Sequence, residues 1–465
     1  MREIAAVFEK GFTLGLRAFA NHPRNTDALT RCMDMVPNPL GIIGRPEIFN
    51  PFEGDFLVQW PWPKLFKTQA GKYLANRTAF YTVDDNWTIR SLGSPTWTLP
   101  PHCADFGGVS YFGSDVAYMV TAEGALYRML DAEINFRTCV NYRGQLMVGN
   151  CSLPKGPKLT EAPRAVVQNA TQVGGENVVA WSKISALNFT FGLDCEAGWA
   201  VMPWEGKVRK LLLLGDDVVA YGDAGIAKIK AIDNVVRSFG VVEFARFGIL
   251  NDDAVDGDGQ RHIFIGNDRN LYMIIPTRAL SADGYSPQLI GYNEFIQNMI
   301  NPIVVFEPIH RHWWVCGEGS ALVLSEQGAG EASISLTGVI SEDGFPVGIT
   351  RKLQEPGADV TTDTISFGTR GIKLLTTIEL DMESPDDSYS KVLWRVDYRR
   401  PFQEGANIFI DPRGTVYPMA AGTEFRINFN SPNFASTQLS KLRLRYKTVD
   451  RQSTRGAVNA GKIAE

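Results

Sequence analysis

One local pattern recurs from about residue 72 to residue 327: a short apolar strand, a turn containing Gly, Asp or Asn, a second apolar strand and often a third after another Gly. The turns fall about every 30 to 50 residues, which is the spacing of β-propeller blades. Apolar residues on both faces of the strands favour sheets packed face to face around an axis, with a stack of sandwiches as the alternative. The plainest copies are VSYFGSDVAYMVTAEGALYRM (109–129), TCVNYRGQLMVGN (138–150), KLLLLGDDVVAYGDAGIAKIKAI (210–232), RHIFIGNDRNLYMII (261–275) and VVFEPIHRHWWVCGEGSALVLSE (304–326).

The strands change character beyond about residue 333. Apolar residues stand at alternate positions in the segments 392–398, 425–429 and 442–446. Such alternation gives a strand one buried face and one wet face. It predicts a separate antiparallel β-sandwich or small barrel, which ends near Val449 before a polar tail.

Composition favours an all-β chain with few helices. Aromatic residues make up 11% of the sequence, and the 44 glycines and 25 prolines suit tight turns. We predict a β-propeller-like repeat domain followed by a C-terminal antiparallel β-sandwich or small barrel. The predicted ranges are an N-terminal arm and lead-in (1–60), the propeller-like domain (61–332), the sandwich (333–449) and a polar tail (450–465). Within the arm, a helix is predicted by the spacing of Ile4, Val7, Phe8 and Phe12.

Cysteine usage and the N-terminus favour a reducing, cytosolic environment. The six cysteines are scattered singly without zinc-like spacing, so we expect reduced thiols packed as small apolar groups. Glu9 and Lys10 interrupt the first apolar stretch before a signal-peptide core forms, and no later apolar run reaches the roughly 18 residues of a membrane span. We therefore expect synthesis in the cytoplasm and no membrane-spanning segment.

Two clusters contain residue types that metal sites use. The loop 251–259 contains four aspartates, but the closing Glu of a calcium loop is missing, so a solvated turn between two strands is favoured. His310 and His312 occupy alternate positions of a predicted strand, which would place both imidazoles on one face, yet no third ligand is close in sequence. A turn or interface role is favoured for the histidines, and no metal or cofactor is predicted.

The sequence contains no recognisable catalytic set. No GxSxG elbow accompanies any histidine, and the adjacent aspartates at 216–217 and 386–387, nominal candidates for glycan cleavage, lie in evident turns. The segment 456–462 resembles a phosphate-binding loop, but Ile463 stands where Ser or Thr is needed, and the segment lies three residues from the chain end, where the required helix cannot follow. We predict that the protein is not an enzyme and has no catalytic, cofactor-binding or metal-binding residues.

Charge is unevenly distributed. The net charge is −5, whereas residues 391–465 contain 13 basic and 6 acidic residues, a balance of +7 that leaves −12 for residues 1–390. The modest total argues against a sequence-independent clamp on DNA. Outward positions of the C-terminal strands are almost all basic, which suits either a solvated face or a docking surface for phosphate or an acidic neighbour. The candidate docking face comprises Arg395, Arg399, Arg426, Arg443, Arg445 and Lys447.

Three segments carry a family resemblance: ALTRCMDMVPNPLGIIGRPEI (28–48), VVAWSKISALNFTFGLDCEAGWAVMPWEGKVRKLLLLGDDVVAYGDAGIAKIKAI (178–232) and SFGVVEFARFGILNDDAVDGDGQRHIFIGNDRNLYMI (238–274). They resemble the tail nozzle, or packaged-DNA stabilisation, proteins of short-tailed, podovirus-like bacteriophages. The first resembles that family's opening, in which an Asn/Pro stretch ends in Gly-Arg-Pro. The other two resemble its middle blades. The alternating C-terminal segment and the basic tail have no clear counterpart.

The resemblance implies a structural subunit of the virion tail, a homo-oligomer assembled as a hexameric ring below the head-to-tail connector. Its implied partners are the connector or adaptor protein, tail fibre or spike proteins, and the genomic DNA that passes through the channel. The subunit would help to retain the genome and then release it during DNA ejection. A receptor- or glycan-binding tail protein, or a polysaccharide-cleaving one, is the alternative that stays open.

Overall fold

The structure is a computed structural model that describes residues 3–8, 12, 14–18, 28–52, 59–132, 134–153, 174–189, 191, 196–232, 239–276, 285–368, 371–383 and 387–449. Within these ranges the chain is almost entirely β. Helix is confined there to α1 (Asn293–Gln297) and one 3-10 turn (Met129–Ala132). The prediction of an all-β protein with few helices is confirmed.

The first twenty strands are β1 (Glu3–Phe8), β2 (Leu29–Met33), β3 (Met35–Asn38), β4 (Gly41–Gly44), β5 (Lys64–Thr68), β6 (Gly71–Ala75), β7 (Phe80–Val83), β8 (Ile89–Gly93), β9 (His102–Phe106), β10 (Val109–Gly113), β11 (Tyr118–Val120), β12 (Leu126–Arg128), β13 (Asn135–Tyr142), β14 (Gln145–Ser152), β15 (Gly174–Trp181), β16 (Gly198–Val201), β17 (Val208–Leu214), β18 (Asp217–Gly222), β19 (Ile226–Ala231) and β20 (Phe239–Ala245). The remaining described strands are β21 (Val255–Gly257), β22 (His262–Ile265), β23 (Leu271–Ile274), β24 (Gln288–Gly291), β25 (Ile303–Glu307), β26 (His312–Cys316), β27 (Ala321–Leu324), β28 (Ala329–Ala332), β29 (Ile334–Glu342), β30 (Phe345–Lys352), β31 (Ala358–Thr362), β32 (Lys373–Glu383), β33 (Tyr389–Arg395), β34 (Gln403–Glu404), β35 (Ile408–Phe409), β36 (Thr415–Val416), β37 (Ala420–Gly422), β38 (Glu424–Ser431) and β39 (Gln438–Thr448).

The chain divides into two compact units. The ring unit comprises Ile48–Glu318 and Leu336–Arg351, and the sheet unit comprises Met1–Glu47, Gly319–Ser335 and Lys352–Glu465. Both units therefore combine separated stretches of the chain, whereas the predicted boundaries at 60, 332 and 449 divide it linearly. Those linear boundaries stay a prediction about which parts fold separately.

The ring unit has the architecture of a β-propeller. Its described part contains five four-stranded antiparallel sheets, each made of consecutive strands: β5–β8, β9–β12, β13–β16, β17–β20 and β21–β24. Two further hairpins, β25–β26 and the part of β29–β30 that belongs to this unit, continue the series. Within each of them, every strand pairs with the next one along the chain, so the pairing stays local, as the repeat of strand and Gly/Asp/Asn turn predicted.

Neighbouring sheets of the ring unit bury their apolar faces against each other. Rings from the first and second sheets interlock, with Phe80 and Phe112 at a centroid distance of 4.9 Å and nearly perpendicular. Burying each such side chain contributes roughly 1.5–3 kcal/mol. The ring closes where Leu65 of β5 shares a core with Ile340 of β29. Apolar residues on both strand faces, which suggested packed sheets, serve these two-sided contacts.

The sheet unit contains two sheets that pack on each other. In strand order, the first is β3-β4-β39-β32-β36, with β1 beside β39 and β37 beside β32. The second, within this unit, is β27-β28-β2-β31-β38-β33-β34, with β35 beside β33. Phe367 contacts both, since its ring lies 4.2 Å from that of Tyr446 and 5.8 Å from that of Phe425. The predicted alternation is confirmed in β38, where buried and half-buried residues alternate throughout.

The N-terminal segment supplies strands to these sheets. β2 lies between β28 and β31, and β4 pairs with β39. Asp34 is fully buried and accepts hydrogen bonds from the Arg45 guanidinium, from the Ser333 amide and hydroxyl, and from the Gly357 amide. A buried carboxylate with four donors is well satisfied and fixes the segment tightly.

Two local predictions were wrong. The apolar spacing at 4–12 predicted a helix, but Glu3–Phe8 is a strand, because its backbone pairs along the edge of β39. The predicted alternation at 392–398 stops at Arg395, because residues 396–400 form a turn. The polar tail, from residue 450 onwards, lies outside the described residues.

Candidate functional site

The first strands of the sheets and hairpins in the ring unit surround a cavity of about 610 Å³, here the axial cavity. Residues from β5, β9, β13, β17, β25 and β29, and residues at or just before β21, line it. At one end Lys64 and His102 are buried, with side chains only 10% and 6% exposed. At the other end the Lys67 side chain is 49% exposed. The cavity is thus a polar cup on the axis of the ring.

The acidic loop before β21 supplies the carboxylates of this region. Asp252 lies between two guanidinium groups, 2.6 Å from Arg137 Nε and 2.9 Å from Arg209 Nη1. Burial alone would raise the pKa of Asp252, but Arg137 first, then His102 and Arg209, hold it below its usual range. The prediction of a solvated turn was wrong for Asp252 and Asp253, whose side chains are only 15% and 12% exposed, whereas Gly259 at the end of the loop is exposed.

Asp253 lies at the buried end of the cavity. Its Oδ2 is 3.5 Å from Lys64 Nζ, and its Oδ1 is 3.6 Å from His102 Nε2. Burial opposes ionisation of Asp253, but Lys64 and the His102 contact hold the pKa of its carboxyl group well below the usual range. Burial lowers the pKa of Lys64, and Asp253 works against that shift. The Lys64–Asp253 ion pair and the His102–Asp253 contact are both loose, since the two distances exceed those of good charge-assisted hydrogen bonds.

His102 is neutral in this environment. Burial first, and then the positive charge of Arg137, lower the pKa of its imidazole to about 4. Neither Nδ1 nor Nε2 of His102 has a hydrogen-bond partner, and the same holds for the buried hydroxyl of Thr337, which also lines the cavity. Buried polar atoms are satisfied in the great majority of cases, so these three mark an incomplete polar environment.

The geometry of the cavity does not assemble a nucleophile and its base. Cys103 and Cys139 line it, but burial raises the pKa of the Cys103 thiol well above its usual value and that of Cys139 to about 12. Both are therefore protonated at neutral pH. In the part of the chain that the structure describes, no three His, Cys, Asp or Glu side chains are grouped to hold a metal ion.

His310 and His312 belong to the turn and second strand of the β25–β26 hairpin. The carboxylate of Glu307 accepts hydrogen bonds from the amides of Ile309 and His310 and lies 3.0 Å from His310 Nδ1. The two imidazole rings stack at 5.9 Å. Burial, followed by the neighbouring His310, lowers the pKa of His312 to about 4. These contacts fit the favoured turn role.

The other nominated motifs contribute no site in the described residues. Asp216 lies in the turn after β17, as expected, whereas Asp217 is the first residue of β18 and accepts a hydrogen bond of 2.9 Å from the Tyr285 hydroxyl. Asp386 and the segment 456–462 lie outside the described residues. The described cysteines are Cys32, Cys103, Cys139, Cys151 and Cys316, and all five are free thiols, as predicted.

The candidate docking face is distributed over two sheets and a turn. Arg395 and Arg426 belong to the second sheet of the sheet unit, and their guanidinium carbons each lie 4.5 Å from the centre of the Phe402 ring. Arg395 also pairs with Glu424. Arg399 lies in the exposed turn after β33.

The remaining docking-face residues lie on β39 in the first sheet of that unit. Arg443 and Arg445 both pair with Glu379, at 3.3 Å and 2.7 Å, and Lys447 stands opposite Glu3 in the strand register. The structure therefore brings the residues together only in pairs. Glu379, Glu424 and the Phe402 ring already interact with several of these basic groups and offset part of their positive charge.

Sequence reasoning missed Lys64, His102, Arg137 and Lys210. Each lies alone in an ordinary strand, and their acidic partners are distant in sequence; Arg137 and Asp252 are 115 positions apart. The only available signal was the acidic loop itself, since an unpaired group of carboxylates beside an apolar strand would be costly if buried.

Comparison with known proteins leaves the family open. No family model matches the chain, and no curated protein matches it. Among solved structures it is similar to the Pan2 WD40 domain of Neurospora crassa (TM-score 0.35, 8% identity, 66% of this chain and 89% of that one) and to BamB from Moraxella catarrhalis (TM-score 0.35, 12% identity, 64% and 90%). Apo AztD from Citrobacter koseri is also similar (TM-score 0.34, 11% identity, 80% and 90%). The fold described above rests on the chain's own sheets.

A transmembrane helix needs about 20 consecutive, mostly apolar residues. None of the helices in the described ranges has the length and apolar content that a transmembrane helix needs.

Proposed function

We propose that this chain is a non-catalytic structural subunit of the tail nozzle of a short-tailed bacteriophage, where copies of it enclose the distal DNA channel. The proposed structural role rests on the ion pairs that Asp252 forms with two arginines of neighbouring sheets. Asp252, Arg137 and Arg209, at the centre of the ring unit, are bound to one another and hold neighbouring sheets in place. Buried ionic groups of this kind stabilise one arrangement only while every partner is present.

The identity of the assembly comes from the sequence resemblance, and its segments coincide with structural elements. Residues 28–48 supply β2, β3 and β4 of the sheet unit. Residues 178–232 span the end of β15 through β19, and 238–274 span β20 through β23. The resemblance thus follows whole strands and their turns, which supports common architecture over chance similarity of short motifs.

DNA would pass between copies of the chain, since the ring unit has no room for it. The axial cavity measures about 610 Å³ and is closed by buried side chains at one end. The major groove of B-DNA is by itself about 12 Å wide, so a whole duplex is too wide for a cavity of this volume. The proposal therefore requires a homo-oligomer, for which we propose the six-fold ring, in contact with a connector above and with fibre or spike proteins at its side.

Imaging tests this proposal directly. Low-resolution electron microscopy of particles carrying a tag on this chain should place the tag in a central ring with a channel. A peripheral trimeric fibre would contradict the proposal. Because the chain is proposed to be non-catalytic, purified protein should also release no reducing sugar from host surface polysaccharide.

A charge exchange tests whether the basic face of β39 contacts an acidic neighbour. Arg443→Glu with Arg445→Glu removes two positive charges but also places three carboxylates together, because both arginines pair with Glu379. Adding Glu379→Arg restores local pairing while leaving the face less basic. If the face docks a partner, tail assembly stays impaired in the triple variant; recovery of assembly would assign the arginines to local pairing alone.

A groove in the sheet unit favours glycan binding as a second candidate. It encloses about 500 Å³ and is lined by the Arg31–Asp359 ion pair, at 2.8 Å, together with Tyr389 and Asn430. Planar polar side chains beside an aromatic ring suit sugar hydroxyls and the apolar face of a pyranose. Tyr389→Ala should abolish retention on host glycans, while Tyr417→Ala, at a residue 64% exposed, should not. Equal retention by both variants would remove this candidate.

A further inference from the structure

The buried end of the axial cavity lacks hydrogen-bond partners for its own donors. His102 is 7% exposed and Thr337 is 1% exposed, and both face the cavity with no partner for either imidazole nitrogen or for the hydroxyl. A buried polar group left unsatisfied costs roughly 1–3 kcal/mol. Three such atoms in one cavity are not expected if the cavity has only a structural role.

The missing partners are mainly acceptors. Lys64 contributes an ammonium group whose described contact is the loose one with Asp253 at 3.5 Å. Lys210 also lines the cavity, and one of its three N–H groups donates to the Val255 carbonyl. Asp256, another lining residue, already accepts from the amides of Gly257 and Phe306, one on each oxygen. Asp253 is the other carboxylate of the cup, but its oxygens stay 3.5 Å from Lys64 Nζ and 3.6 Å from His102 Nε2, beyond the usual hydrogen-bond distance. Among the described residues, Lys64, His102 and Thr337 therefore have no acceptor at a normal hydrogen-bond distance.

We propose that the buried end of the axial cavity binds a small oxyanion between Lys64, Lys210, His102 and Thr337. An oxyanion such as phosphate, sulfate or a carboxylate supplies several acceptor oxygens to two ammonium groups and a hydroxyl at once. The carboxylates of Asp253 and Asp256 balance the two ammonium groups, so the anion is held by hydrogen bonds rather than by an excess of positive charge. The cavity volume, about 610 Å³, accommodates such an ion with its remaining water.

Binding of the anion is coupled to His102. The charged groups that face this imidazole are Arg137, Lys210, Lys64, Asp252 and Asp253. Without an anion the cationic neighbours and burial keep the ring neutral. A bound oxyanion accepts from both ring nitrogens only when the ring is protonated, so binding should draw a proton onto His102.

Nitrogen-15 NMR of the histidines tests the site in the full chain. The chain has five histidines, so the spectrum is simple, and His102→Gln assigns the signal of interest. Sodium phosphate, sulfate and acetate are titrated at constant ionic strength made up with chloride. We expect a saturable shift of the His102 signal and an upward shift of its titration midpoint, while His262 and His312 stay unchanged. Comparing the affinities of the three anions shows whether the site prefers phosphate-like anions or carboxylates.

A paired variant locates the anion. Lys64→Met with Asp253→Asn removes one ammonium group together with the carboxylate that it faces, so the cavity keeps its net charge. We expect affinity to fall by about tenfold or more. Lys207→Met with Glu176→Gln removes an exposed pair of the same kind on the same unit and should leave affinity unchanged.

Two results would overturn the proposal. A His102 shift that is the same with chloride as with the oxyanions would show general screening, and no shift at roughly tens of millimolar anion would show no site. If the paired variant failed to fold, the wild-type titration would still decide between these outcomes.

Discussion

The hydroxyl of Tyr221 donates a hydrogen bond of 2.8 Å to Nδ1 of His262 across two neighbouring sheets of the ring unit. The direction follows from the other ring nitrogen, since Nε2 lies 2.8 Å from the Leu213 carbonyl, which only accepts. Both side chains are fully buried. The imidazole therefore links β18 and β17 of one sheet to β22 of the next with every polar atom satisfied.

Tyr221→Phe should lower the free energy of unfolding by roughly 1–3 kcal/mol, because Nδ1 of His262 would stay buried without its donor. Chemical denaturation with an unchanged slope would measure the loss. Tyr127→Phe removes the same atom from a side chain that is 51% exposed and should cost almost nothing. Equal effects of the two substitutions would contradict the inter-sheet role.

Asp252→Asn should be more damaging. It leaves the buried Arg137 guanidinium without its carboxylate, whereas Arg209 keeps its ion pair with Asp223. Breaking a buried ion pair from one side costs about 3–5 kcal/mol. Glu176→Gln, in the exposed pair with Lys207, is the control and should change stability by less than about 1 kcal/mol. A mild effect of Asp252→Asn in the same denaturation measurement would show that water screens the cluster.

Stability should fall steeply as pH drops from 6.5 towards 4. Burial lowers the pKa values of His102, His262 and His312 to about 4, against about 6.5 in the unfolded chain. Between these values the unfolded state binds more protons, so the stabilisation present above pH 6.5 is lost on acidification, at up to roughly 1.4 kcal/mol per pH unit for each imidazole. Unfolding free energies at several pH values measure the slope, which His312→Leu should reduce by about one third. A flat profile between pH 7 and 5 would contradict the burial of neutral histidines.

The described thiols should resist alkylation and disulfide exchange in the native protein. Burial raises the pKa of Cys139, Cys151 and Cys316 to about 12, and that of Cys32 still further. Thiolate, the reactive form, is therefore scarce at pH 8. A chromogenic disulfide reagent should label the five described thiols of a Cys195→Ser variant only after unfolding. Rapid labelling of several thiols in native buffer would refute this.

Deleting residues 1–50 should destabilise the sheet unit. That deletion removes β2 from between β28 and β31, and with it the Asp34–Arg45 pair. Deleting residues 1–10 removes only edge strand β1, whose Ile4 and Val7 are exposed, and should be tolerated. Far-UV circular dichroism with protease resistance of the 352–449 region would compare the two; equal resistance would mean that the sheets hold without the N-terminal strands.

Much of the ring unit was predictable because its pairing is local. The hairpin at 210–232 became β17, β18 and β19, and the alternation at 425–429 became β38, since both patterns depend only on which neighbouring side chains are apolar. The helical spacing at residues 4–12 gave a wrong prediction because the conformation of this segment depends on a distant strand. Glu3–Phe8 is a strand because β39, more than 400 residues away, offers it an edge.

The sequence alone determined most strands and turns of the ring unit and which of its strands have two buried faces, and it predicted the free thiols found among the described cysteines. Tertiary structure decided how the ring closes, how the N-terminal strands enter the C-terminal sheets, and which charges meet on the axis. Asp252 and Arg137 are far apart in sequence but share one ion pair, and the acidic loop at 251–259 is partly buried as a result. Strand patterns are set by residues a few positions apart, whereas charge pairing across sheets depends on packing, which no local pattern contains.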